Sequence, residues 1–251
     1  MRRLTTVHTG LQKIDVWGDG APSEARQVEF RVAGAAHAWW HRDRYLTGLA
    51  WDNICAACLL RPAGPPHSVL MLGLAGGTSL RALRHLVPNI RVTAVDYDPG
   101  IIQLARRYMD LDSLRATIHP GDAYAFVRTY RGPPFDVVVD DVYQALDHDV
   151  ARPGAWSDDL SQCLRRLVAP GGLLVVNLVT GFGHRALQSD FRRMLRRQWP
   201  EVRSVTTPRG MNEALTAGER VLGGRALGRW RNHWALEQDR AHWDRLRVRR
   251  L

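Results

Sequence analysis

The sequence predicts an α/β fold: a mostly parallel sheet with helices on both faces, preceded by a small β-hairpin unit. Short apolar runs, Val69–Leu72, Phe135–Val139 and Leu173–Leu178, have the length and content of strands buried on both faces. Amphipathic stretches separate them, which is the alternation that builds a parallel sheet. The first run passes through a glycine-rich turn, Gly73-Leu74-Ala75-Gly76-Gly77, into a helix-like stretch from Ser79 to Val87 that Pro88 stops. A second β-rich run then ends on Asp96, 23 residues after Gly73. Glycines let the backbone turn sharply and approach a ligand, and the free N–H groups at a helix start favour carboxylate or phosphate. An acid at the end of the second strand can accept both hydrogen bonds of a ribose diol. Strand, turn, helix, strand and acid together read as a nucleotide-binding unit rather than a tight turn alone.

At 251 residues with 45% hydrophobic content, the chain can bury a sizeable core. No apolar run reaches the roughly 18 residues of a membrane span, and MRRLTTVHTG lacks the apolar region of a secretory signal, so a cytoplasmic protein is expected. The formal charge is +10, with Lys13 the only lysine. The arginines are dispersed and no nucleic-acid-binding motif accompanies them, which leaves nucleic acid a minor alternative partner. The three cysteines, Cys55, Cys58 and Cys163, are expected to be reduced. Cys55-Ala-Ala-Cys58 has redox-motif spacing but lies in an apolar helical stretch, where cysteines act as small hydrophobes. No Cys/His group has zinc-site spacing, and no metal is expected.

Three regions are expected: a β-hairpin unit plus helix over 1–62, a binding domain over 63–222 and an Arg/Trp-rich helical tail over 223–251. In the first, Leu11–Trp17 and Gln27–Val32 alternate as hairpin strands. Trp39, Trp40, Tyr45 and Trp51 then cluster, either as packing or as an aromatic wall over a substrate. Leu49 to Leu60 reads as a helix, and Arg61-Pro62-Ala63-Gly64-Pro65-Pro66 as a linker. In the second region, Pro99 opens a helix from Gly100 to Met109, and Ala116–His119 is a short strand before Pro120-Gly121-Asp122-Ala123. Ser157 caps a helix to Val168, Ala169-Pro170-Gly171-Gly172 is a turn, and His184 to Trp199 is amphipathic. Glu201–Thr206 and Glu213–Ala217 form an antiparallel hairpin at the sheet edge. The tail holds eight arginines and three acids, with Leu227, Trp230 and Trp234 spaced for a helix that packs on the main domain or on a second subunit. In sheets of this kind ligands bind beyond the carboxyl ends of the strands, and Asp96, Asp122, Asp140 and Asn177 all fall there.

These residues resemble the spermidine-synthase-like (polyamine aminopropyltransferase-like) branch of the class I S-adenosylmethionine-dependent methyltransferase superfamily. Leu11–Val16 is similar to the family's "YQxIxV" strand, Val32-Ala33-Gly34 to its "LDG" turn, and Leu72–Thr78 to its glycine motif. Val95-Asp96-Tyr97-Asp98-Pro99 matches "VEIDP", Gly121-Asp122-Ala123 matches "GDA", and Ala169–Gly172 the "kpgG" turn. The resemblance implies a Rossmann-like class I methyltransferase fold and assigns roles. Asp96 would hold the ribose hydroxyls, Tyr97 would lie near the adenine, and Asp122 would bond its amino group. Gly73, Ala75 and Gly76 would approach the methionine-derived part, and Gln12 would join this cofactor set. Asp140 would take the place of the first acid of "DSSDP", which deprotonates or orients the attacking amine, with Asp141 and Tyr143 beside it.

The sequence departs from that family on the acceptor side. The glycine motif lacks the acid of "GGGDGG", the His-Glu pair of "DEFxYHE" is missing from Asp43–Leu49, and Asp140-Asp141-Val142-Tyr143-Gln144 replaces "DSSDP". A free ammonium on the donor would lack its partner, whereas an α-carboxylate would avoid repulsion. The expectation is a transferase using S-adenosylmethionine, foremost a methyltransferase acting on an amine or hydroxyl of a small-molecule acceptor. The alternatives are aminopropyl transfer from decarboxylated S-adenosylmethionine, another alkyl transfer or cyclisation at the sulfonium, and a non-catalytic nucleoside-binding module. A homodimer through the tail stays open.

Overall fold

The computed structural model describes residues 1–21, 24–145, 150–153, 156–181, 183–208 and 210–251. Chain entry is a four-stranded antiparallel meander of β1 (Arg2–His8), β2 (Lys13–Gly18), β3 (Gln27–Val32) and β4 (Ala35–His41). Ile14, Val16, Val28, Phe30 and Val32 are buried, so β2 and β3 alternate as expected of strands with one covered face. The expected hairpin is therefore half of a larger sheet. After α1 (Ala50–Cys58), strands and helices alternate: β5 (Ser68–Leu72), α2 (Thr78–Leu86), β6 (Arg91–Asp96), α3 (Pro99–Tyr108), β7 (Thr117–Pro120), α4 (Ala123–Thr129) and β8 (Phe135–Asp140). A short ribbon, β9 (Gln144–Ala145) with β10 (Val150–Ala151), leads to α5 (Asp158–Leu167), β11 (Val168–Val179), α6 (Arg185–Gln198), β12 (Glu201–Thr206) and β13 (Asn212–Gly218). The chain ends with α7 (Glu237–Trp243) and β14 (Arg247–Arg250).

The central sheet has eight strands in the order β14-β12-β13-β11-β8-β5-β6-β7. Its β11, β8, β5, β6 and β7 pairings are parallel, and β13 and β14 run antiparallel to their neighbours. Side chains alternate between two cores. Met71, Val137, Val139 and Val175 face α1, α2, α3, the N-terminal sheet and the tail. Leu70, Leu72, Val138 and Val176 face α4, α5 and α6. Ser157 caps α5 by accepting from Leu160 N at 3.1 Å, and Asp98 caps α3, with Pro99 at its first position.

The Asp122 side chain accepts from Ala125 N at 2.7 Å and caps α4, a helix that the sequence reading does not contain. Two sequence expectations are corrected. Ala169–Gly172 is an excursion within β11 rather than a turn ahead of it: Val168 pairs with Phe135, and pairing resumes at Leu173 with Val137. The tail does not form one amphipathic helix. A 3₁₀ stretch (Gly224–His233) and α7 bury Leu227, Trp230, Trp234 and Trp243 against the main domain, and β14 pairs with β12, so the β12–β13 hairpin is not the edge. Among the described residues, no helix is long and apolar enough to cross a membrane.

The N-terminal sheet is tied to the central one by polar clips. Thr78 Oγ1 donates to the Trp39 carbonyl at 2.8 Å and accepts from Trp39 N at 2.9 Å. Thr9 Oγ1 and Gln12 Nε2 both donate to Asp98 Oδ2, at 2.6 and 2.9 Å. Cys55 and Cys58 are buried in α1, where desolvation pushes the Cys58 thiol up to about 12 and the Cys55 thiol well above its usual range, the opposite of a reactive thiolate.

Candidate active site

A cavity of about 1310 Å³ opens beyond the carboxyl ends of β5, β6, β8 and β11, under residues of the N-terminal sheet and the start of α1. That exceeds the ~300–1,000 Å³ of a typical single-ligand pocket, leaving room for two reactants. Its charged lining is Asp15, Asp96, Asp98, Asp122 and Asp141 against Lys13 alone. In a chain of net charge +10, the described lining of this cavity is acidic.

The glycine loop and Asp96 form one unit. Gly73 has φ +81, and a Cβ there would overlap the backbone carbonyl of Asp141, so only glycine lets the loop pass this close to the end of β8. Ala75 also sits at positive φ, +45. The loop's own amides, Leu74 N and Ala75 N, donate to Asp96 Oδ2 at 2.8 and 2.7 Å, and Asp98 N donates to Oδ1 at 3.0 Å. Burial pushes the Asp96 carboxyl up and these three N–H groups pull it back. Both carboxylate oxygens are thus oriented before any ligand arrives.

The remaining cofactor-side candidates divide. Gly73, Ala75, Asp96, Tyr97, Asp122 and Gln12 all line the cavity. Tyr97 is 61% exposed at its mouth, Asp122 combines a cap on α4 with its place in the wall, and Gln12 gives its amide to Asp98. Gly76 is absent from the lining, and a Cβ there would come within 2.5 Å of the Ala38 Cβ and also overlap Met109. Its smallness serves the packing of the loop against β4.

Asp140 lies apart from this lining. Period-two alternation places it with Val138, on the face covered by α4 and α6 and away from the cavity. There it is buried in an ion pair with Arg152, whose Nη1 donates to Oδ2 at 2.9 Å, while Tyr124 Oη lies 3.3 Å from the same oxygen. Arg152 also donates to the carbonyls of Asp140 and Asn177 at 3.2 and 3.0 Å, and its guanidinium lies 5.1 Å from the ring centroids of Tyr143 and Phe191. This carboxylate is fully buried and held by a fixed cationic partner.

The next residue turns to the cavity instead. Asp141 accepts from Asn177 Nδ2 at 2.7 Å, and Asn177 Oδ1 in turn accepts from Asn212 Nδ2 at 3.2 Å. Burial pushes the Asp141 carboxyl up to about 7; the Asn177 bond and the Arg152 charge oppose the rise, and Asp140 and Asp96 add to it. Tyr143 lines the cavity, but its hydroxyl donates to the Asn177 carbonyl and accepts from Val179 N, each at 3.0 Å. Its phenol is further raised by burial, which suits a wall residue better than a proton carrier. Of the aromatic cluster, Trp51 lines the cavity, whereas Trp39, Trp40 and Tyr45 pack behind it. Sequence reasoning missed Tyr124 because α4 was unrecognised, and Arg152 because no periodic pattern surrounds it.

The comparisons agree with this architecture. A family described as a methyltransferase domain matches residues 69–172. A probable polyamine aminopropyl transferase of Bifidobacterium longum is 32% identical over 139 residues, covering 55% of this chain and 29% of its own length. An eEF1A lysine and N-terminal methyltransferase homolog of Drosophila pseudoobscura pseudoobscura is 29% identical over 153 residues, covering 59% of this chain and 22% of its own. The match thus spans under a third of either relative. The crystal structure of a probable spermidine synthase from Corynebacterium glutamicum superposes with TM-score 0.74 at 14% identity, over 100% of this chain and 91% of that one. The glycine loop and the acid-ended second strand lie within the same stretch, residues 69–172, that matches the methyltransferase-domain family. With its antiparallel N-terminal sheet ahead of that stretch, the fold as a whole is similar to that of the spermidine synthase structure.

Proposed function

We propose that this chain transfers an alkyl group from the sulfonium of an S-adenosylmethionine-type nucleoside to the nitrogen of a small amine lodged against Asp141. The acidic cavity in a basic chain carries this reading: a sulfonium is a cation, an amine readily becomes one, and the described charged lining is five carboxylates and one lysine. The residues fit the donor. Asp96 presents fixed oxygens for a ribose diol, Asp122 and Tyr97 of the cavity wall would meet the adenine, and Gly73 passes beside the Asp141 carbonyl.

The bound sulfonium supplies an already activated carbon. What the chain must do is align the nitrogen opposite the C–S bond, exclude water and manage one proton. The nitrogen lone pair forms the new C–N bond as the C–S bond breaks, and the sulfur departs as a neutral thioether. Asp141 accepts the proton released from nitrogen. Its carboxyl titrates near neutrality, the range in which a general base is most effective. Asn177 occupies Oδ1, which directs the second oxygen to the amine.

Two groups compete for the transferred carbon. The names of the matched relatives weigh towards aminopropyl transfer, from Bifidobacterium longum, Streptomyces coelicolor and Chromobacterium violaceum alike. The glycine loop, Gly73 to Gly77, contains no acid to receive a donor ammonium, and that observation favours methyl transfer, as does the name of the Drosophila relative.

Calorimetry with S-adenosylmethionine, its decarboxylated form, S-adenosylhomocysteine and methylthioadenosine tests both levels. The reading expects at least one to bind and Asp96→Ala to abolish it. No binding by any of them, or binding indifferent to that substitution, sinks the reading. Tighter binding of the decarboxylated form and methylthioadenosine selects aminopropyl transfer, and tighter binding of the other pair selects methyl transfer. Mass spectrometry of a mixed-amine incubation then reads the added mass.

A further inference from the structure

The segment between β4 and α1, residues 42–49, has neither helix nor strand, yet it delivers Leu49, Ala50 and Trp51 to the cavity wall. Side chains from elsewhere satisfy its backbone. Arg81 of α2 donates to the Arg44 carbonyl at 2.6 Å. Asp52, buried at the start of α1, accepts from Thr47 N, Thr47 Oγ1 and Gly48 N at 2.9, 3.0 and 2.6 Å. Asp239, buried on α7, accepts from Tyr45 N and Leu46 N at 3.0 and 3.2 Å, across 194 and 193 residues of chain. Gly48 is at φ +77, and a Cβ there would stand 2.8 Å from His242 Nδ1, also on α7. Tyr45 stacks on His85 with centroids 4.0 Å apart, and His85 stacks on Trp234 of the tail at 5.3 Å.

This wall belongs to the Asp141 side of the cavity. Asn53, two residues after Trp51, donates to the Asn212 carbonyl at 3.2 Å, and Asn212 continues through Asn177 to Asp141. We infer that the C-terminal tail is a working part of the acceptor site: Asp239, as a positioning residue, fixes Leu49 and Trp51 by holding the Tyr45 and Leu46 amides. The acceptor assignment rests on the transfer reading above, while the clamp itself does not. Two buried carboxylates gripping consecutive pairs of amides leave this short irregular segment little freedom, and each unpaired amide would carry a desolvation cost.

The test compares the full-length chain with Asp239→Ala, which removes both acceptors, and Asp239→Asn, which keeps one acceptor oxygen. Amide exchange by mass spectrometry should rise at least tenfold over residues 44–51 in the alanine variant and less in the asparagine variant, with β5 and β6 unchanged. Affinity for S-adenosylhomocysteine should stay within twofold, and KM for the amine found in the mixed incubation should rise about tenfold with a smaller change in kcat. Unchanged exchange over 44–51, exchange raised throughout the chain, or a loosened segment with unaltered KM each overturns the inference. Wild-type protein that binds the nucleoside but modifies no amine defeats the transfer reading instead, and the clamp is then decided by the exchange pattern alone.

Discussion

Asn177 Nδ2 donates to Asp141 Oδ1 at 2.7 Å across the gap between β11 and the end of β8. The bond joins the only two side chains that the proposed chemistry asks to act together: the carboxylate that receives the proton and the amide that fixes its orientation. A hydrogen bond donated to a carboxylate favours its charged form, so Asn177 holds the Asp141 carboxyl below the position that burial alone would give it.

The pH profile of amine transfer follows from that bond. With Asp141 as the base, kcat/KM in the wild type falls as pH drops through about 7, where its carboxyl becomes protonated. Asn177→Ala removes a donor that stabilises the carboxylate, so the acid limb moves to higher pH and the rate at neutral pH falls. An acid limb that stays in place in the variant removes Asp141 from the base role.

Asp140, one residue earlier, predicts a different phenotype. It and Arg152 are both buried and paired at 2.9 Å. Arg152→Met leaves a buried carboxylate without its cation and should cost on the order of 3–5 kcal/mol in urea unfolding. Adding Asp140→Leu to that variant should recover most of the loss, because the unpaired charge is gone. Failure of the second substitution to restore stability would show that Asp140 is not principally the partner of Arg152.

These neighbouring acids also mark how far the sequence could be read. Buried parallel strands appear as apolar runs, so β5, β6, β8 and β11 were legible, and the glycine turn with Asp96 located the cavity. Which acid ends β8 facing the cavity depends on one residue of register, since successive side chains point to opposite faces. Apolar patterning does not resolve that single step, so the sequence alone points to Asp140 as readily as to Asp141. The strand β1, RRLTTVH, and the strand β14, RVRR, lack a clean apolar alternation because only part of each is covered, so neither is legible in the sequence. The grip of Asp239 on Tyr45 and Leu46 spans most of the chain and leaves no local trace in the sequence.

Asp52 provides a stability test that needs no substrate. Burial pushes its carboxyl up to about 7 despite its hydrogen bonds to Thr47 and Gly48. An acid whose folded pKa lies above its unfolded one binds more protons when folded. The folded state therefore loses stability as pH rises from about 4 through 7. Asp141 shifts in the same direction and adds to the slope. In urea unfolding at pH 5, 6, 7 and 8, Asp52→Asn should flatten part of the decline, leaving the share that Asp141 contributes. Parallel wild-type and variant curves would mean that Asp52 is ionised throughout this range.

Two glycines of one loop separate fold from chemistry. At Gly76 an added methyl meets Ala38 and Met109, away from the cavity, and φ lies outside the left-handed range. Gly76→Ala should therefore cost roughly 1–3 kcal/mol of stability by overpacking, while the folded fraction keeps its transfer rate. At Gly73 the methyl overlaps the Asp141 carbonyl, and φ is +81, a conformation that costs a side-chain-bearing residue about 1–2 kcal/mol. Relief of that overlap must move either the loop that orients Asp96 or the backbone that carries Asp141. A displacement near 1 Å at reacting groups costs on the order of 100-fold in rate, so Gly73→Ala should lose far more activity than its melting temperature suggests. Measured together, kcat per folded molecule should fall for Gly73→Ala and hold for Gly76→Ala. Equal losses in both would mean that the loop supports the fold without setting the distance between nucleoside and base.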